Sequence, residues 1–145
     1  MKKSEVITIG IDPGVNTGYA VNDCGVLTVV NSVTIHIAMH GVRSEAERNI
    51  IKRVIVVFED ARQRKWFGNA GREQLQGAGS IKRDCKIWED YLTDLKDMGL
   101  IMEFRMVAPK NNKTKLNSAS FKKITGWQKQ TNEHSRDAAM LVFGI

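Results

Sequence analysis

The chain has 145 residues, 42% of them hydrophobic and 26% charged, with a net charge of +6. That is the length of one domain, with enough apolar material for one core, so a single domain that needs no disulfide or metal staple is expected. No stretch approaches the roughly 18–20 apolar residues that span a bilayer, which excludes a membrane-spanning reading. In chain order, Val6–Asp12 (VITIGID) is β-branched and almost wholly apolar and predicts a central strand covered on both faces. Pro13-Gly14 and Asn16-Thr17-Gly18 supply a turn into a second strand from Tyr19, and Asp23-Cys24-Gly25 turns into a third, Val26–Ile37. A short helix over Ser44–Lys52 and a second buried strand, Val54–Glu59, follow.

Asp60–Gly79 contains four glycines and no sustained periodicity, so a long loop is expected there. A helix then runs from Ser80, a plausible N-cap, to Gly99, with Ile81, Cys85, Trp88, Leu92 and Leu95 on one stripe. Leu100–Val107 reads as a third buried strand, Leu116–Thr125 as a short helix stopped by Gly126, and a last helix begins near Asn132. The order β-β-β-α-β-α-β-α-α predicts an α/β fold, a mixed sheet flanked by helices.

The charge is segregated. From Arg105 to Asn132 there are seven Lys or Arg and no Asp or Glu, and Arg62, Arg64, Lys65 and Arg72 form a second basic cluster. Acids gather instead between Asp84 and Glu103, on the helix. One face for phosphates and another for water is the natural reading. Lys110, Lys113, Lys115, Lys122 and Lys123 suit backbone phosphate contacts. Trp66 and Phe67, among the cations of the loop, either stack on bases or anchor the loop to the core. Trp127 beside Lys129 poses the same choice, with packing favoured, and Trp88 belongs to the core or to a dimer interface. The N-terminal MKKSEVITIGID has an apolar run only a strand long and does not resemble a secretory leader. Cys24 and Cys85 lie far apart without a CxxC pairing and read as reduced thiols. A soluble, intracellular (cytoplasmic) protein is therefore expected.

Three groups stand where chemistry is plausible. Asp12 ends the first strand, Glu59 ends the second buried strand, and Asp137 lies on the last helix one turn after His134. Carboxylates at the ends of apolar strands are costly unless paired or bound to metal, and converging carboxylates make a hard oxygen site for Mg²⁺ or Mn²⁺. Each of these acids taken alone is equally compatible with an ordinary loop or cap position, and spacing along the chain does not establish convergence. Asp60 and Glu133 adjoin the same positions; strand alternation turns Asp60 to the opposite face, and Glu133 sits about 100° around the helix from His134.

Gly10-Ile11-Asp12-Pro13-Gly14 with Thr17-Gly18-Tyr19-Ala20 resembles the first motif of the RuvC-type Holliday-junction resolvases. Val56-Val57-Phe58-Glu59 resembles their second acidic strand, and His134-Ser135-Arg136-Asp137-Ala138 their last motif. The resemblance implies an RNase H-like mixed sheet and metal ligation by Asp12, Glu59 and Asp137. His134, where many members carry an acid, would bind the second ion or orient water. It further implies a homodimeric endonuclease that cuts branched DNA with two Mg²⁺ or Mn²⁺ ions, associated with nucleoid or phage DNA. Actin-like ATPases share a related DxG turn, but they need two such domains and this chain holds one. The competing expectations are another RNase H-like nuclease, acting on RNA–DNA hybrids or nonspecifically on branched DNA, and a non-catalytic nucleic-acid-binding module.

Overall fold

The computed structural model describes residues 5–63, 72–109 and 116–145, with the backbone alone over 72–78. Strands β1 (Val6–Asp12), β2 (Thr17–Asp23) and β3 (Val26–Val33) form an antiparallel meander. Helix α1 (Ile35–Arg48) leads to β4 (Arg53–Glu59), which pairs parallel to β1. A 3₁₀ turn (Ala61–Gln63) and the long helix α2 (Arg72–Asp97) precede β5 (Glu103–Val107), parallel to β4. Helices α3 (Ser118–Thr125) and α4 (Glu133–Val142) complete the described chain. The strand order β3-β2-β1-β4-β5 is the RNase H-like mixed sheet expected from the sequence.

Side chains alternate across the sheet, so each central strand feeds two cores. Ile7, Ile9 and Ile11 of β1 and Val54, Val56 and Phe58 of β4 pack on one face against Ala38 and Val42 of α1 and Trp88, Leu92 and Leu95 of α2. Ala20, Val30, Ile55 and Val57 face Phe121 of α3 and Ala138, Ala139 and Val142 of α4. Parity therefore puts Asp12 and Glu59 on the α4 face, at the carboxyl ends of neighbouring parallel strands. Glycine lets α4 come this close. A Cβ on Gly10 would meet the carbonyl of Ala138, and one on Gly18 the carbonyl of His134.

Several sequence expectations need correction. Strand β3 ends at Val33, and α1 begins at Ile35, not at Ser44. The β-branched run through Ile37 reads as strand, yet Ala38, Val42 and Ala46, four apart, form a buried helical face. Helix α2 begins at Arg72, not Ser80, and so takes Gly77 and Gly79 into its interior within the expected loop. Two glycines cost about 1 kcal/mol each against alanine, a loss that packing further along the same helix offsets. Ile81 is 40% exposed and lies off the stripe, whereas Cys85, Trp88, Leu92 and Leu95 are fully buried. Gly99, left-handed at φ 75°, closes α2 with Leu100 N–H bonded to the Leu95 carbonyl. Residues 100–102 are consequently a turn, and β5 is a short, partly exposed edge strand instead of a buried one starting at Leu100. Asn117 caps α3 through the Ser120 amide, moving its start from Leu116 to Ser118. Cys85 is buried and Cys24 is half-buried.

Candidate active site

The site is assembled by three elements at the carboxyl ends of the central strands β1 and β4. Asp12 ends β1, paired across the ladder with Gly18 of β2. Glu59 ends β4, one residue past the Ile11–Phe58 register pair. Helix α4 delivers His134 and Asp137 from above. Its start is fixed by a reciprocal capping box, in which Asn132 accepts from the Ser135 amide and the Ser135 hydroxyl accepts from the Asn132 amide. Arg136, one residue before Asp137, reaches back to the Leu116 carbonyl and the Thr131 hydroxyl, tying α4 to the chain before α3.

Asp12 is the electrostatic centre. Its carboxylate is largely buried, and Oδ2 lies 3.2 Å from Nδ1 of His134. Burial pushes its pKa up to about 6; the hydrogen bond from His134 pulls the other way, and the charges of Glu59 and Asp137 push it further up. Each of the other two carboxylates thus acts on Asp12, which brings the three sequence-predicted acids and His134 into one acidic pole. Among the described residues, no three His, Cys, Asp or Glu gather around a common point at ligating distance. The donor chemistry nevertheless fits a hard divalent cation: carboxylate oxygens, one imidazole, and an acid whose ionisation is held back first by burial and then by the neighbouring carboxylates.

The neighbouring acids separate as alternation requires. Asp60 is buried on the opposite face, where Arg62 and Gln63 bind it, and Glu133 is exposed at the start of α4. Arg62, expected among the DNA contacts, has its guanidinium taken up by Asp60 and Glu89. Sequence reasoning missed that network, because Glu89 reads as one more surface acid on a helix. It missed Gly10 and Gly18 as contact points too, although two glycines inside otherwise bulky strands are a signal of close backbone approach.

Of the remaining DNA-contact candidates, Lys122 and Lys123 are exposed in the last turn of α3. Arg72 belongs to α2, with no side chain described, and Arg64, Lys65, Trp66, Phe67, Lys110, Lys113 and Lys115 lie outside the described residues. Trp127 packs against the α3–α4 core while Nζ of Lys129 sits 5.9 Å from its ring centre. Trp88 is core.

Fold and site together define an RNase H-like domain with an acidic pole where β1, β4 and α4 meet. No family model and no curated protein matches the chain. Among solved structures it is similar to Thermus thermophilus RuvC, at 14% identity and a TM-score of 0.48 over 94% of this chain and 91% of that one. It is likewise similar to T. thermophilus RuvC in complex with Holliday junction substrate, at 12% identity and a TM-score of 0.47 over 94% and 90%. Strand order and register by themselves define the fold.

Proposed function

We propose that this chain is a metal-dependent endonuclease of branched DNA, four-way junctions above all, working as a homodimer. The observation that carries the reading is the meeting of Asp12, Glu59 and Asp137 with His134 at the carboxyl ends of β1 and β4, where two of the acids raise the proton affinity of the third. The resemblance of the three motifs to the resolvases supplies the choice of substrate.

Asp12, Glu59 and Asp137 would hold the ions, with His134 beside them. Mg²⁺ or Mn²⁺, two ions as the family resemblance implies, would supply a nucleophilic water and neutralise the charge on the leaving oxygen. Asp12 holds Nδ1 of His134, which leaves Nε2 for a ligand bond or for the proton of the attacking water. Lys122 and Lys123 offer mobile charges to backbone phosphates. Lys110, Lys113 and Lys115, with Arg64, Lys65, Trp66, Phe67 and Arg72, keep the phosphate and stacking roles their sequence suggests. An intracellular location on nucleoid or phage DNA suits this activity; among the described residues no helix is long and apolar enough to cross a membrane.

The deciding experiment compares nicking of a labelled four-way junction, an RNA–DNA hybrid and a linear duplex, in Mg²⁺ and in chelator. Wild-type protein should cut the junction symmetrically and only with the ion. Asp12→Asn, Glu59→Gln and Asp137→Asn should each bind the junction without cutting it. Preference for the hybrid would make the chain another kind of RNase H-like nuclease, and binding without any cleavage would make it a non-catalytic module.

A further inference from the structure

Immediately behind Glu59 lies a polar network on the other face of the sheet. The carboxylate of Asp60, 5% exposed, accepts from Nε of Arg62 at 2.7 Å and from Nη2 at 3.1 Å. It also accepts from the Arg62 amide at 3.1 Å and from the Gln63 side chain at 3.3 Å. The same Nη2 reaches Oε2 of Glu89 on α2 at 2.6 Å. The Asp60 amide donates to the Val107 carbonyl at 2.7 Å, and Gln63 donates to the Met106 carbonyl, so β5 is bound in as well.

We infer that Arg62 is a positioning residue for Glu59: by bridging Asp60 and Glu89 it locks the end of β4 to α2 and β5 and so fixes where Glu59 stands beside Asp12. Two carboxylates against one guanidinium leave a net negative cluster, a poor place for a phosphate. The planar fork is suited to two acids at once, and an ammonium is not. At Glu59 the end of β4 is laddered on one side only, to Val107 of β5, while pairing with β1 stops at Phe58, so Asp60 and the 3₁₀ turn add the constraint that the β1 side lacks. Supporting contacts behind metal-binding carboxylates orient the donors and commonly matter as much as tenfold or more to affinity or rate.

This rests on the nuclease reading above, and the test separates the two. Arg62→Ala, Arg62→Lys and Glu89→Gln are compared with wild type and Glu59→Gln for Mn²⁺ affinity by calorimetry, junction cleavage (kcat and KM), junction Kd against salt, and melting temperature. Arg62→Ala and Glu89→Gln should lose about 10–100-fold in Mn²⁺ affinity or kcat, with KM, Kd and its salt slope unchanged. Arg62→Lys should fall between them and wild type. Glu89, at the partly exposed end of the network, carries the test if Arg62→Ala does not fold. A weaker Kd with a shallower salt slope in Arg62→Ala would make Arg62 a phosphate contact and overturn the inference. So would a fall in melting temperature that accounts for all the missing activity while Mn²⁺ affinity stays intact. Full cleavage by Arg62→Ala alongside a dead Glu59→Gln overturns the positioning role alone, whereas full cleavage by Glu59→Gln overturns both readings.

Discussion

The carbonyl of His134 occupies the space that a side chain on residue 18 would need, so Gly18 is where α4 rests on β2. The same glycine pairs with Asp12 across the ladder, and a Cβ there would also stand 3.0 Å from the Asp12 Cβ. One missing methyl group thus brings the imidazole down to the carboxylate. Helix α4 then lies along the sheet from Gly18 to Gly10, with Ala138 over the second glycine.

Gly18→Ala should consequently lift the start of α4 and separate His134 from Asp12. Overpacking of this kind costs about 1–3 kcal/mol, and the loss of cleavage should exceed what the reduced stability explains. Gly79→Ala is the contrasting case, since a Cβ on Gly79 meets nothing within 4 Å inside α2. It should stabilise by up to about 1 kcal/mol through helix propensity. Urea melts of the two variants, with junction cleavage measured alongside, check both signs; a neutral Gly18→Ala would discard the close-approach account.

The raised pKa of Asp12 has a sign that can be tested in chelator. The folded state binds the proton up to about pH 6, the unfolded state only to 3.8. Between these values the native protein holds more protons than the unfolded chain, so stability falls as pH rises through the window. The gap between 3.8 and about 6 corresponds to about 3 kcal/mol lost by pH 7 relative to pH 3. Metal-free Asp12→Asn should therefore be more stable than wild type at pH 7.5 and lose that advantage near pH 3. Added Mg²⁺ should raise the melting temperature of wild type and leave that of Asp12→Asn nearly unmoved. A variant less stable than wild type at both pH values would contradict the electrostatic account.

Asn132 closes the reciprocal cap at the start of α4. Asn132→Ala should cost about 1 kcal/mol of stability and slacken the helix end that carries His134. Asn132→Ser should recover most of both losses, because serine caps nearly as well. Failure of serine to recover stability would show that Asn132 matters through something other than its cap.

Lys122 and Lys123 should act on affinity alone. Their reversal to glutamate should weaken binding to junction, flap and duplex alike and reduce the salt slope by about one for each phosphate no longer neutralised. Binding curves at several salt concentrations decide it. An unchanged slope would make the end of α3 a merely solvated surface.

Some of this was legible in the sequence because the deciding physics is local. The almost wholly apolar, β-branched runs of β1 and β4 mark central strands whatever surrounds them, and their carboxyl-terminal acids fall at the strand ends the structure shows. Strand alternation likewise separates Asp60 from Glu59 without coordinates. Helix α1 was hidden, because its strand-like β-branched start is overruled by Ala38, Val42 and Ala46, a buried face that matters only once the helix joins the core on the sheet. The first turns of α2 were hidden too, since Gly77 and Gly79 argue locally against a helix that distant packing sustains. Tertiary structure alone decided that His134 meets Asp12, which depends on α4 descending onto two glycines far away in the chain. It alone decided the partners of Arg62: local sequence shows a cation in a basic run, and only the fold sets that cation between Asp60 and a carboxylate 27 residues further on.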